Sequence, residues 1–386
     1  MGQLVGCGDG GDDRLARVGL SRVVEPGDLN ALKAFDGMAA AEIWDVLRRK
    51  ARGTERWWAR LAEVEPERDL ERAAAIGGRF VIPGDDEWPD QIEVLAEAGQ
   101  LGRRAGVPFG LWVRGPLNLR KTLRQSVAVV GSRACSSYGE HVAAELSSGV
   151  ADSGFAVVSG GAFGIDAAAH RGVLSTSGVT VAVLACGVDQ FYPRRNSALL
   201  SLIAERGLLV SELPPGSAPT RLRFLARNRL IAAATLGVVV IEAAVRSGAL
   251  NSAGWAEQCG RAVLAVPGPV TSRMSEGTHL LVRERGAVLV TNVAEVIEAI
   301  SPLGTRLAPR AVAPTTPYDQ LDHDHRRTLD AVPVVQSAPV ARIAVTAGLD
   351  VQTTQECLEF LAALSMVEHD ETGWRLLPAS PAPDTT

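Results

Sequence analysis

From Ser126 to about Ile300 the chain repeats one pattern: a short apolar run, a small or glycine-containing turn, then a longer stretch of helical character. The apolar runs fall at 126–130, 155–158, 179–184, 207–211, 236–242, 261–266 and 287–290. Several carry no polar residue at all, as in Val238-Val239-Val240-Ile241, so they suit strands covered on both faces. Such alternation predicts an α/β fold: a doubly wound, mostly parallel sheet between two helical layers. Upstream, Phe80-Val81-Ile82 before Pro83-Gly84, and Leu111-Trp112-Val113-Arg114 before Gly115-Pro116, read as an edge strand and a connector to that sheet.

The first repeat carries the sharpest chemistry. Val127-Ala128-Val129-Val130 runs straight into Gly131-Ser132-Arg133, followed by Ser136-Ser137 and an amphipathic run from Tyr138 to about Ala151. A strand, a glycine turn and a helix place free backbone N–H groups and a partial positive charge at the carboxyl end of the sheet, where open α/β folds bind ligands. Arg133 adds a planar cation suited to phosphate. A phosphate-bearing ligand is expected at this turn. The bland alternative pairs Arg133 with Asp166 or Glu242.

Other strand ends are also small or polar. Ser159-Gly160-Gly161 through Asp166 lets backbone approach a ligand and offers an anion nest. Asp166 and His170, four apart at a helix start, suit either an acid–base pair or a cap that orders the turn, and the cap is the commoner use. Glu242 is either catalytic or a fixer of nearby N–H groups, with the second favoured. Ser247-Gly248 follows it. Upstream of Glu242, residues 221–229 hold Arg221, Arg223, Arg227 and Arg229 with Phe224 interleaved. Cations for phosphates and a ring face for a base are what single-stranded nucleic acid requires; a solvated helix face is the competing reading. The strand end and glycine turns beside this run favour nucleic acid.

Composition narrows the classes. The 386 residues carry a net charge of −5, so any nucleic-acid surface must be a local patch. Cysteines 7, 135, 186, 259 and 357 are scattered and form no C-x-x-C pair, which argues against a disulfide framework or a zinc site and for a reducing cytoplasm. No apolar run approaches the roughly 20 residues of a membrane span. The turn from Gly131 to Gly139 does not match G-x-G-x-x-G, and no G-x-x-x-x-G-K-[ST] occurs, so no dinucleotide cofactor or P-loop chemistry is expected. No cofactor and no metal are expected.

The flanks divide the chain further. Residues 1–27, rich in Gly and Asp, read as a poorly structured N-terminus. Residues 28–76 read as a small helical domain whose Trp57 and Trp58 pack a core rather than stack on bases. The sheet domain occupies 77–300. A Pro-rich linker spans 301–322, and 323–377 shows three helical runs and a hairpin around Thr372-Gly373, fitting a winged-helix-like module. A Pro/Ala tail covers 378–386.

In this order the motifs become specific. Val130-Gly131-Ser132-Arg133 with Tyr138-Gly139, Ser159-Gly160 through Gly164-Ile165-Asp166 and His170, and Tyr192-Pro193 with Asn196 are followed by Ser211-Glu212 and Pro214-Pro215-Gly216. Phe224 with Arg227-Asn228-Arg229, Glu242-Ala243 with Ser247-Gly248, Gly260-Arg261, Ala265-Val266-Pro267-Gly268, and Gly277-Thr278 with Gly286-Ala287 complete the set. The chain resembles the bacterial DNA-processing protein DprA (Smf) family over about 175 residues. The resemblance implies an extended Rossmann-like fold that binds single-stranded DNA without catalysis, loads the recombinase RecA during natural transformation, displaces single-strand binding protein and forms a homodimer. It implies a DNA pocket of Gly131, Ser132, Arg133, Ser159, Gly160, Gly161, Arg221, Phe224, Arg227, Asn228, Arg229, Ser247 and Gly248, with Asp166, His170 and Glu242 structural within it. The winged-helix-like module, poor in basic residues, suits a protein contact slightly better than duplex DNA. The competing class is an enzyme on a related scaffold, such as a nucleoside-monophosphate phosphoribohydrolase, but the Pro-Gly-Gly-x-Gly-Thr signature of that family is absent.

Overall fold

The computed structural model describes residues 10–62, 64–309 and 315–377. The chain divides into two compact units, one ending at Pro309 and the other beginning at Arg310. The sequence-expected tail at 378–386, part of the linker (310–314), Cys7 and the first nine residues lie outside the described residues.

The first unit opens with helices α1 (Gly10–Val23), α2 (Leu29–Ala34), α3 (Ala40–Arg48), α4 (Glu55–Leu61) and α5 (Pro66–Ala74). Residues 10–23 are therefore helical, not poorly structured as the Gly- and Asp-rich composition suggested. The reason is burial: Ala16, Val18, Leu20 and Val23 are all covered, and Gly19 lets the Trp44 ring press against the helix backbone. Leu20, Phe35, Ile43, Leu47 and Trp57 form a core among these helices, and Phe35 and Trp57 stack with centroids 5.0 Å apart. The core role expected of Trp57 holds. Val18 and Ala73 meanwhile pack with Phe80 and Trp112 of the sheet, so the helices share a second core with it.

Eleven strands follow in this unit: β1 (Gly78–Val81), β2 (Gln100–Leu101), β3 (Arg104–Ala105), β4 (Leu111–Arg114), β5 (Ser126–Val130), β6 (Ala156–Ser159), β7 (Thr180–Val183), β8 (Leu208–Ser211), β9 (Gly237–Val240), β10 (Ala262–Ala265) and β11 (Val288–Leu289). Nine of them make one sheet in the order β1-β4-β8-β7-β6-β5-β9-β10-β11. All pairings from β8 to β11 are parallel, while β4 and β1 are antiparallel additions at one edge. The seven predicted apolar runs are these seven parallel strands. Helices α6 (Leu119–Arg124), α7 (Ser137–Asp152), α8 (Ile165–Leu174), α9 (Ser197–Arg206), α10 (Arg221–Ala233), α11 (Gly248–Gln258), α12 (Glu276–Arg285) and α13 (Val293–Ile300) connect them.

Strand β5 shows why its sequence has no polar face. Val127 and Val129 pack into one core with α7 and α8, while Ala128 and Val130 pack into the other with α10 and α11. The chain moves from β5 outward through β6, β7 and β8, then crosses back to lay β9 on the other side of β5. The order reverses between β5 and β9, and helices diverge there to leave a crevice at the carboxyl ends of both strands.

The second unit contains α14 (His323–Ala331), α15 (Val340–Ala347), α16 (Val351–Ala363) and the antiparallel hairpin β12 (Val367–Asp370) and β13 (Gly373–Leu376). Asp322 and Asp350 cap α14 and α16 by accepting the backbone N–H groups of His325 and Thr353. Leu329, Ile343, Leu358, Leu361, Val367 and Trp374 form its core. Among the described residues, no helix is long and apolar enough to cross a membrane.

His170 lies on α8, fully buried against β7. Its Nδ1 is 2.7 Å from the Thr180 hydroxyl, which itself donates to the Val157 carbonyl, so Nδ1–H is the donor and Nε2 has no partner. Burial, reinforced by the charges of Arg227 and Arg171, pushes the imidazole down to about 3 from its ordinary 6.5. Between those values the unfolded chain takes up a proton that the folded chain refuses, so stability falls as pH drops through this window, by about 1.4 kcal/mol per pH unit for this group. Denaturant unfolding of the wild type and His170→Asn between pH 7 and 4 should show the steeper acid loss in the wild type. Equal slopes would contradict a buried neutral imidazole.

Candidate nucleic-acid interface

The crevice at the β5/β9 reversal is a cleft of about 720 Å³. Its floor is the turn after β5. Gly131 is packed so closely that a Cβ would sit 2.5 Å from Ile165 Cγ1 and 2.9 Å from the Glu242 carbonyl oxygen. The Ser132 N–H donates to that carbonyl at 2.7 Å, tying the turn to the end of β9. The Glu242 carboxylate accepts the Ser136 N–H at 2.8 Å and the Ser136 hydroxyl at 2.5 Å, anchoring the first turn of α7. Gly139 leaves room for that carboxylate, since a Cβ there would meet Glu242 Oε2 at 2.3 Å. Glu242 is thus buried and fully engaged in holding N–H and O–H groups, as its favoured sequence reading expects.

Helix α10 forms one wall. Thr220 caps it by accepting the Arg223 N–H. Its arginine-rich first turns divide between two faces by helical period. Arg221, Phe224, Leu225 and Asn228 face the cleft, with Arg227 deeper on the same side. Arg223 turns away to Glu25 at 2.8 Å, and Arg229 turns away to Glu212 at 2.7 Å. Arg229 is 1% exposed and does not line the cleft, so its expected place in a DNA pocket is corrected: the geometry makes it a structural partner of Glu212.

Arg133 makes no ion pair with Asp166 or Glu242. Its guanidinium instead lies over the Phe224 ring, 4.6 Å from the centroid, and the Tyr192 ring sits 5.9 Å from Phe224 on the centroid measure. Arg133 and Tyr192 are exposed and Phe224 is half-buried. An exposed cation resting on a half-buried ring places donors for an oxygen anion and an aromatic surface for a base side by side.

Arg227 occupies the deep end. It is 6% exposed, donates Nη1–H to the Val183 carbonyl at 2.6 Å and leaves Nε without a partner. Its guanidinium lies flat on Gly160, where a Cβ would meet Nη1 at 1.7 Å. Glycine is required at 160 for this contact. Asp166 sits beside it and accepts the Gly160 N–H at 3.1 Å and, at 3.4 Å, that of Ala162. Burial pushes the Asp166 carboxyl up, while the Arg227 charge and these N–H groups pull it back. Asp166 therefore orders the 160–162 turn under Arg227, which stays a cation because a guanidinium does not give up its proton in a protein.

The remaining predicted residues divide similarly. Ser247 caps α11 and, with Gly248, lines the cleft. Ser159 is buried with its hydroxyl on the Val129 carbonyl, joining β6 to β5, and Gly161 lies behind the lining. His170 and Glu242 support the site from outside its lining. Among the lining residues absent from the predicted pocket are Tyr192, Arg246 and Asn251. Arg246 carried a legible signal, an arginine in the loop after a strand end, like Arg133. In all, Arg133, Arg221, Arg227 and Arg246 face the cleft against the single carboxylate of Asp166, a positive patch on a chain of net charge −5.

This architecture is that of a doubly wound α/β protein with an arginine- and aromatic-lined cleft at its topological switch point. The profile of DNA recombination-mediator protein A matches residues 79–301, and the chain belongs to that family. A Mycobacterium tuberculosis relative bearing the DprA name is 43% identical over 365 residues, covering 93% of each chain. The Streptococcus pneumoniae DNA processing protein DprA is 43% identical over 213 residues, 55% of this chain and 71% of its own. The crystal structure of DNA processing protein A from Streptococcus pneumoniae superposes with a TM-score of 0.59 at 30% identity, covering 74% of this chain and 96% of that one.

The two faces of α10 predict different mutant behaviour. Arg229→Ala leaves the Glu212 carboxylate buried without its cation, and should lower unfolding free energy by roughly 3 kcal/mol. While the variant remains folded, its affinity for an oligonucleotide should stay within about twofold of wild type, a negligible free-energy change. Normal stability with lost binding, by urea unfolding and anisotropy, would return Arg229 to the interface.

Proposed function

We propose that the cleft binds single-stranded DNA, and that the protein is a non-catalytic recombination mediator. The observation that carries this reading is the Arg133 guanidinium over the Phe224 ring at the cleft mouth. A nucleotide has a phosphate for the first and a base for the second, and a single strand presents both together, whereas a duplex hides its base faces. Arg221 and Arg246 extend the positive track along the lip, and Arg227 holds a cation at its base. Such contacts read no base edge, so binding should be salt-dependent and nearly sequence-blind.

Family membership supports the wider role. On this reading the bound strand is handed to the recombinase RecA with displacement of single-strand binding protein, during uptake of DNA in natural transformation, and the working form is a cytoplasmic homodimer. The 323–377 unit acts as a winged-helix-like module that contacts a protein. A phosphoribohydrolase reading draws no support from the site, because the Glu242 carboxylate is 2% exposed and already satisfied by Ser136.

Fluorescence anisotropy of labelled oligo-dT across a salt series tests the pocket. Arg133→Ala should weaken binding and flatten the log–log salt dependence by about 0.7, one phosphate contact on a single strand. Phe224→Ala should cost roughly 1–3 kcal/mol with the slope unchanged. If both variants bind as tightly as wild type at equal salt, the cleft is not the DNA site.

A further inference from the structure

Phe163 stands at the carboxyl edge of the sheet, in the turn between β6 and α8, just outside the cleft lining and 41% exposed. The turn that carries it is fixed. Gly164, at a φ of 73°, packs on the turn after β5 so closely that a Cβ would meet the Ser132 carbonyl oxygen at 2.2 Å and that of Arg133 at 2.7 Å. The Ile165 N–H donates to the Ser132 carbonyl at 3.2 Å. Phe163 is therefore held beside the backbone of Arg133, on the side of β5 away from β9.

The loop after β7 is fastened to the same turn. Asn196 Nδ2 donates to the carbonyl oxygens of Gly161 and Ala162, each at 3.0 Å. Arg194 and Arg195, on the single helical turn that ends at Asn196, are exposed. Among the described residues neither forms an ion pair. The one carboxylate of their loop, Asp189, is occupied by the Gly216 N–H at 2.9 Å. Tyr192, two residues earlier, already lines the cleft and approaches Phe224.

Across the carboxyl ends of β9, β5, β6 and β7, in that spatial order, the exposed groups are thus Arg246, Arg133, Phe163, and then Tyr192 with Arg194 and Arg195. Neighbouring strands lie about 4.8 Å apart, so the Phe163 turn starts one such step from the Arg133 turn. Unpaired cations interleaved with open rings suit phosphates and bases of one extended strand.

We propose that this edge is a second nucleotide-binding station for the strand held in the cleft: Phe163 offers a ring face to the next base, and Arg194 and Arg195 take phosphates beyond it. The proposal rests on the single-stranded DNA reading of the cleft.

The test is fluorescence anisotropy of the full-length protein with a labelled oligo-dT of roughly 15 nucleotides, long enough to leave the cleft, across a salt series. Phe163→Ala should weaken binding at least about fivefold with the salt slope unchanged, the smallest effect expected of a lost base–ring stack. Phe163→Tyr, which keeps the ring, should bind within about twofold of wild type. Replacing Arg194 and Arg195 together by Ala should flatten the log–log salt slope by about 1.4, two phosphate contacts on a single strand. Wild-type affinity and slope in both Phe163→Ala and the double arginine variant, with Arg133→Ala weakened, would overturn the station and leave the cleft reading standing. If Arg133→Ala and Phe224→Ala also bind as wild type, the cleft reading falls and the station falls with it.

Discussion

The cleft depends on one carboxylate. Glu242, at the end of β9, accepts both the N–H and the hydroxyl of Ser136, and its own carbonyl accepts the Ser132 N–H. These bonds join β9 to the turn after β5 and to the first turn of α7 across the point where strand order reverses. Buried acceptors so fully matched are rigid, because any displacement leaves a charge without donors in a low-dielectric interior. Gly131 and Gly139 have no side chain because the Glu242 backbone and carboxylate occupy the space. The Arg133 side chain is consequently delivered to the cleft mouth by a turn that cannot drift.

From that fixed point, α10 supplies the opposite wall and does two jobs. One face carries Phe224, Arg227 and Asn228 into the cleft, while the other binds the helix to Glu25 and Glu212 through Arg223 and Arg229. The arginines therefore divide into cleft-facing and anchoring cations, and only the exposed ones are free to exchange counterions for an anion. On the proposed reading, a local positive patch on an acidic chain confines nucleic acid to one groove rather than to the whole surface.

Much of the sheet was legible because its strands are short and nearly all apolar, with β9 and β10 carrying no polar residue, as strands covered on both faces require. The Gly131-Ser132-Arg133 turn was legible for a related reason: glycine and a cation at a strand end have few structural uses. The division of the α10 arginines was not, since it depends on where Glu25 and Glu212 arrive from distant parts of the chain. Helix α1 was hidden by its glycines and aspartates, and forms because Val18 and Leu20 find apolar partners that lie far away in sequence. Tyr192 was visible as a motif residue, but its approach to Phe224 is a tertiary fact with no local signature.

The most direct test of the central claim is to ask where the strand lies. Ultraviolet cross-linking of oligo-dT to the full-length protein, followed by peptide mass spectrometry, reports the residues that touch bases. Adducts are expected on the peptides carrying Tyr192 and Phe224, suppressed by unlabelled single strand and by salt. Adducts confined to residues 323–377, with the cleft peptides unmodified, would contradict it.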